Sequence, residues 1–206
     1  MRKQLTEKYQ SDIIMFAPAR QNWQIKRNDR YLRAFAELVK AGVKAVLLIP
    51  GWGQEIERSK NLCSNLGIQD SVIWLAPVSE KLLIKYYQAS DMILDQFELG
   101  VFGLITPKAM ACGKPVLTSY DKALNEWCFK AHPPVVACKT EDEIYKAMHA
   151  LSTSPSKRRE IGKQSRDWVL KHHSKKAIRD ILLNSMSLAK ENFEHKIQKK
   201  LKKRVF

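Results

Sequence analysis

GVFGLITPKAMACGKPVLTSY, Gly100 to Tyr120, falls into three pieces: a glycine loop, a short helix and an apolar strand. Gly100 and Gly103 permit left-handed backbone and a close approach to a ligand. Thr106 before Pro107 predicts a helix start, with a hydroxyl cap and proline at the first helical position. Free N–H groups and partial positive charge at such a start suit phosphate. A GxxG spacing alone is weak, and a plain strand-to-helix turn with nothing bound fits it equally. The loop between the glycines holds no acid, and Lys108 stands in the first helical turn.

Working outward, the same alternation repeats. DIIMFAP (12–18), KAVLLIP (44–50), SVIWLAP (71–77), DMILDQF (91–97), KPVLTSY (114–120) and PPVVACK (133–139) are short apolar runs bounded by Pro, Gly or polar residues. Between them lie helical patterns. Asp29 is the expected cap of a helix carrying Leu32, Phe35, Ala36 and Val39 on one face, stopped by Gly42. Residues 19–28 are expected as a loop. Further helices are expected from Gln54 to Leu66, from Ser79, from Thr140 and from Pro155 to Leu170, and a last one from Ser174. Unbroken apolar strands alternating with helices predict an α/β fold. The expected form is a doubly wound, Rossmann-like parallel sheet of six strands with helices on both faces, plus a basic C-terminal helix. The expected division is a Rossmann-like domain over 1–183 and a basic amphipathic tail over 184–206.

The net charge of +15 favours anionic partners. It is spread along the chain and no nucleic-acid motif accompanies it, so no nucleic-acid partner is expected. Cys63, Cys112, Cys128 and Cys138 form no CxxC pair and no zinc spacing, so reduced thiols, no metal and a cytoplasmic location are expected. Phe193, Ile197, Leu201 and Val205 recur every four residues on a tail with seven Lys/Arg and two Glu. That stripe suits peripheral contact with an anionic membrane or docking to another domain, or simply a solvated terminal helix. The five histidines lack visible acid or serine partners and are read as surface or structural residues.

Doubly wound sheets bind ligands at the carboxyl ends of their strands. Three segments leave such ends here: Arg20 and Lys26 after the first strand, Ala76–Pro77–Val78 after the third, and GVFGLITPK after the fourth. Two cations on one loop suit a diphosphate, although a solvated basic loop is the plainer reading.

Taken in order, APARQNWQIKRND, VIWLAPVSEKLLIKYYQASDMIL and GVFGLITPKAMACGKPVL resemble the C-terminal, donor-binding domain of GT-B glycosyltransferases of the large retaining family 4, over about Asp12 to His173. The resemblance implies that Arg20 and Lys26 hold the donor diphosphate and stabilise it as a leaving group. It implies that Ala76, Pro77 and Val78 face the nucleobase, and that Gly100, Val101, Phe102, Gly103 and Leu104 face phosphate and sugar. The donor would be a UDP- or GDP-sugar, with no cofactor and no metal. The family carries two glutamates eight residues apart, for the sugar and for the ribose hydroxyls. Gly100 and Lys108 stand there, Gly100 matching a branch with DQ…GxxG that Asp95-Gln96 also fits. An ammonium accepts no ribose hydroxyl, so Lys108 is expected to bond a phosphate, or to donate to a ribose oxygen, or to mark a site no longer used for transfer. Glu98 is a candidate sugar contact in place of the first glutamate, against the plainer reading of an exposed loop acid. Arg27 stands where a glycine often follows the lysine. The resemblance also implies a missing N-terminal acceptor domain or partner subunit, and no turnover by this half alone.

Overall fold

The structure, a computed structural model, describes the backbone of residues 1–129 and 131–202, and side chains within these up to residue 194. Six strands form one parallel sheet: β1 (Ile13–Phe16), β2 (Ala45–Pro50), β3 (Val72–Leu75), β4 (Met92–Leu94), β5 (Val116–Thr118) and β6 (Val136–Ala137). Their order is β3-β2-β1-β4-β5-β6. Met15 pairs with Leu47 on one side and Met92 on the other, so the order reverses between β1 and β4.

Each central strand is buried on both faces, which is why its sequence is apolar without alternation. Ile13, Met15 and Ala17 point into one core, with α3 (Asn28–Lys40), α4 (Ile56–Asn65) and α8 (Glu141–Thr153). Ile14 and Phe16 point into the other, with α5 (Glu80–Ala89), α6 (Ile105–Ala111) and α9 (Pro155–His173). The two-residue period of the strands therefore divides the core into two layers. Each fully buried Leu, Ile or Phe contributes about 1.5–3 kcal/mol. The expected architecture is the one observed.

The caps differ in detail. Ser79 caps α5, accepting from the Leu82 N–H, and Thr140 forms a capping box with Glu143 on α8. α3 begins at Asn28 after Arg27 in left-handed backbone, and Asp29 lies inside its first turn rather than at the cap. Thr106 is likewise not a cap. α6 starts at Ile105, two residues ahead of Pro107, and the Thr106 hydroxyl turns inward to Asp95. The expected loop at 19–28 holds a one-turn helix, α2 (Trp23–Lys26), because the Asn22 side chain accepts from the Ile25 N–H. Two other short helices escaped the sequence reading. α1 (Arg2–Tyr9) has no buried residue, and α7 (Lys122–Asn125) is set by Asp121. α9 runs to His173, beyond Leu170.

α10 (Lys175–Lys202) passes through the expected boundary at residue 183 without a break. Ile178, Ile181, Leu182, Leu183, Met186, Leu188 and Phe193 on it are exposed. Of the expected tail stripe, the side chains of Ile197 and Leu201 and the whole of Val205 lie outside the described residues. Among the described residues no helix is long and apolar enough to cross a membrane.

Candidate functional site

The carboxyl ends of β1 to β4 carry three adjoining features. The first is the segment 20–27. A buried polar network holds it: Trp23 Nε1 donates to Ser59 Oγ at 2.8 Å, Ser59 Oγ to Gln21 Oε1 at 2.9 Å, and Gln21 Nε2 to Tyr31 Oη at 3.3 Å. Burial pushes the Tyr31 hydroxyl up to about 12, so it is neutral and available as donor and acceptor. Arg20 lines an open cavity of about 350 Å³ with Asn22, Trp52, Gly53 and Gln54. Lys26 ends α2, and its carbonyl accepts from the Phe97 N–H at 3.2 Å. The segment is thereby tied to the end of β4.

The second feature is apolar. Pro18, Pro50, Trp52, Leu75, Ala76, Pro77, Val78 and Leu83 line a cavity of about 440 Å³. Trp52 is 51% exposed and borders both cavities, so an apolar slot adjoins Arg20. Trp52 was missed in the sequence. Its signal was an aromatic between two glycines directly after the second strand.

The third feature is the glycine loop. Gly100 has φ +67°, and a Cβ there would meet Asp121 Cβ at 3.3 Å and Leu124 Cδ1 at 3.4 Å. No side chain fits there without strain, so glycine is dictated by the loop itself. Its carbonyl accepts from Asn125 Nδ2 at 2.9 Å and from the Asp121 N–H at 3.0 Å. Gln96 fastens the loop from beneath, accepting from the Leu99 N–H at 3.0 Å and donating to the Val101 carbonyl at 3.1 Å. Asp95 Oδ2 accepts from Thr106 Oγ1 at 2.7 Å, and a Cβ on Gly103 would lie 3.3 Å from that same oxygen. Asp95 Oδ1 is buried without a partner among the described residues. Burial raises the Asp95 pKa; Thr106 and the nearby Lys26 pull it back down in part. Phe102 is turned away from the loop mouth, 5.2 Å from the Phe129 ring, 5.6 Å from Trp168 and 5.6 Å from His173. Val101 and Leu104 are exposed.

Glu98 and Lys108 are already engaged. Glu98 Oε2 accepts from Arg27 Nε at 2.7 Å and lies 3.1 Å from Arg30, with Lys139 at 3.9 Å from the other oxygen. The hydrogen bond from Arg27, the largest cause, holds its pKa below the ordinary glutamate value. Arg27 itself has φ +51°. That conformation suits glycine, the residue the resemblance leads one to expect here, and in this chain an ion pair accompanies the arginine. Lys108 Nζ pairs with Glu80 Oε1 at 2.5 Å, directly after the Ala76–Ser79 turn. Among the described residues no cluster of His, Cys, Asp and Glu is arranged for a metal ion. His132 bonds the Tyr120 hydroxyl at 2.8 Å.

The doubly wound parallel sheet, with an apolar slot, an arginine and a glycine loop near the point where strand order reverses, has the GT-B Rossmann-like fold. The Glycosyl transferases group 1 family matches residues 1–168, and the chain belongs to it. It is 32% identical over 125 residues to a D-inositol 3-phosphate glycosyltransferase of Corynebacterium jeikeium, covering 57% of this chain and 29% of that one. Identity to the alpha-monoglucosyldiacylglycerol synthase of Streptococcus pneumoniae is 32% over 94 residues, covering 46% of this chain and 21% of that one. These matches span less than a third of each relative's length. The fold superposes on Anabaena HepE in complex with UDP and glucose at TM-score 0.70 and 15% identity, over 90% of this chain and 52% of that one. It also superposes on the C-terminal domain of a glycosyl transferase group 1 family protein, LpcC, from Francisella tularensis at TM-score 0.66 and 18% identity. There it covers 85% of this chain and 94% of that one.

Proposed function

We propose that this chain is the donor-binding half of a retaining glycosyltransferase of family 4, taking a nucleotide-diphosphate sugar such as a UDP- or GDP-sugar. The observation that carries the reading is the shared Trp52 wall. It joins the apolar slot of Ala76–Val78 to Arg20, and the Lys26 carbonyl accepts from the Phe97 N–H, three residues ahead of the Gly100–Gly103 loop. A nucleobase fills the slot and stacks on the indole, and its diphosphate reaches the cations. Arg20 binds it in two-pronged fashion and Lys26 as a point charge. The backbone of 100–104 faces the sugar. As the sugar–phosphate bond breaks, negative charge grows on the leaving diphosphate, and the two cations stabilise it without proton transfer. No residue is assigned as acid or base, and no metal is invoked. Anabaena HepE, similar in fold, was captured with UDP and glucose, which supports the donor class.

Transfer then needs a second domain or partner chain to bring the acceptor. The exposed apolar residues of α10, from Ile178 to Phe193, favour such a partner or an anionic membrane over free solution. A subunit that acts only through a partner is the second reading, favoured by the commitment of Lys108 to Glu80. Calorimetry with UDP, GDP, ADP and their sugars tests the donor site. One nucleotide binds, and Arg20→Ala weakens it at least about tenfold, the worth of a charge-assisted pair. Absence of binding by all of them sinks the proposal. Restoration of sugar transfer by an added N-terminal-type domain separates the split enzyme from a non-catalytic subunit.

A further inference from the structure

The opposite end of the sheet, at the amino ends of β4 and β5, holds a second concentration of charge. A cavity of about 290 Å³ is lined by Arg2, Ser90, Asp91, Gly113, Lys114, Pro115, Pro155, Arg158 and Arg159. Three segments far apart in sequence supply its four cations: Arg2 from α1, Lys114 ahead of β5, and Arg158 with Arg159 from α9. One carboxylate faces them. Asp91 Oδ2 accepts from the Ile14 N–H at 2.9 Å and from Arg2 at 2.8 Å, and Asp91 Oδ1 lies 3.5 Å from Arg158.

Asp91 is therefore saturated by the fold, and two of its cations are too. Arg2 also donates to the Ala89 carbonyl, and Arg158 to those of Leu151 and Ser152. Lys114 and Arg159 are different. Among the described residues, neither makes a side-chain hydrogen bond or ion pair, although both line the cavity. Lys114 is half-buried, and burial, its largest cause, together with Arg2 pulls its pKa below the ordinary lysine value against the attraction of Asp91. Asp91 does not fully offset the desolvation of this ammonium, so a further anion beside it is favourable.

We propose that this cavity binds a phosphate group, with Lys114 and Arg159 as the two free ligating cations and Arg2 and Arg158 as the fixed positive wall. Arginine forks and a lysine point charge together fit the tetrahedral oxygens of a phosphate monoester or diphosphate. The cavity has room for such a group. The site lies at the far end of the sheet from Arg20, so a nucleotide and this phosphate occupy the protein together. The phosphate belongs either to a soluble compound or to a lipid headgroup, and one experiment separates these sources.

Calorimetry with inorganic pyrophosphate at low ionic strength is compared for the parent, Lys114→Met, Arg159→Gln and Arg20→Ala. Lys114→Met and Arg159→Gln each weaken binding about tenfold or more, and retain nucleotide binding at the donor face, while Arg20→Ala leaves a pyrophosphate site intact. Sedimentation with vesicles containing phosphatidic acid, against phosphatidylserine vesicles of equal surface potential, reads the lipid source. A preference for phosphatidic acid that Lys114→Met abolishes assigns the site to a headgroup. Pyrophosphate binding without that preference assigns it to a soluble phosphate. A melting experiment excludes a purely structural lysine. Loss of a half-buried cation whose desolvation outweighs the pull of Asp91 leaves the ligand-free Tm of Lys114→Met equal to or above the parent's, and in the Arg20→Ala background, where the donor-face cation pair is broken, pyrophosphate raises Tm only when Lys114 is present. A lowered Tm in Lys114→Met, pyrophosphate binding that Lys114→Met and Arg159→Gln leave unchanged, or no binding of pyrophosphate and no vesicle preference, overturns the proposal.

Discussion

Lys108 on α6 and Glu80 on α5 form an ion pair that bridges the glycine-loop helix and the Ala76–Ser79 turn. The ammonium's nearest acceptor is thus a carboxylate of the protein, and this decides what the lysine does. Were it a phosphate ligand, its removal would resemble the removal of Arg20. We expect Lys108→Ala to change the nucleoside diphosphate Kd by less than about threefold, against about tenfold or more for Arg20→Ala. Lys108→Glu sets two carboxylates together. It lowers Tm at low salt, less so at high salt, and adding Glu80→Lys restores Tm by re-forming the pair in reverse. Parallel titrations and melts check this, and a tenfold loss in Lys108→Ala would return the lysine to the phosphate.

Asp95 has one oxygen on Thr106 and the other buried without a partner. Thr106→Val strips the remaining bond and costs about 1–3 kcal/mol in urea unfolding. The pH dependence follows from the direction of the shift. A raised folded-state pKa means that the folded protein holds the Asp95 proton more tightly than the unfolded chain. Its contribution is fully present below the ordinary aspartate value of 3.8 and is lost as pH rises through the folded value. Asp95→Asn removes that loss. The variant therefore gains stability relative to the parent as pH rises from about 4, then the gain levels off. Paired urea melts between pH 4 and 8 measure the difference, and a flat difference would show that Asp95 titrates normally.

The sheet was legible because its strands are buried on both faces, and burial on both faces writes an unbroken apolar run such as KAVLLIP. Caps built from a side chain and the next turn, as at Ser79 and Thr140, were equally readable. Thr106 was misread because its hydroxyl bonds Asp95, eleven positions upstream, and local spacing carries no sign of that. α1 has no buried residue and Arg2 pins it to Asp91, so no periodicity announced it. At the site, the positions of Arg20, Lys26 and the loop were legible as motifs. The engagement of Glu98 by Arg27 and of Lys108 by Glu80 was not, since each joins segments remote in sequence.

Arg27 and Glu98 make the second pH prediction. The lowered Glu98 pKa contributes stability above the ordinary value of 4.5 that is lost as pH falls through the folded value. Glu98→Gln should thus be less stable than the parent at pH 6, with the difference shrinking as pH falls below 4.5. The left-handed backbone of Arg27 sharpens the test. Without its partner the arginine retains only the strain, so Arg27→Gly in the Glu98→Gln background should gain about 1 kcal/mol. In the parent the same change removes the ion pair as well and gains less. The non-additivity of this cycle, read from denaturation midpoints, isolates the pair.

Gly162 lies in the interior of α9, where alanine ordinarily stabilises a helix by about 1 kcal/mol. Here the sign reverses. A Cβ on Gly162 would stand 2.2 Å from the Gly113 carbonyl oxygen and 3.0 Å from its carbon, both backbone atoms of the turn that closes α6. Neither atom can swing aside as a side-chain tip would. Gly113 holds φ +67° to make that turn, so the strain is relieved only by separating α9 from α6. Overpacking of this kind costs about 1–3 kcal/mol or more, enough to outweigh the helix propensity. Separation would also carry Trp168 and His173 away from Phe102, loosening the glycine loop that they support. Gly162→Ala should therefore lower the urea midpoint and weaken nucleotide binding together. Gly67→Ala, where a Cβ meets nothing within 4 Å but φ is +72°, should lower the midpoint alone. Equal nucleotide affinity in the two variants would disconnect the α9 aromatic cluster from the site.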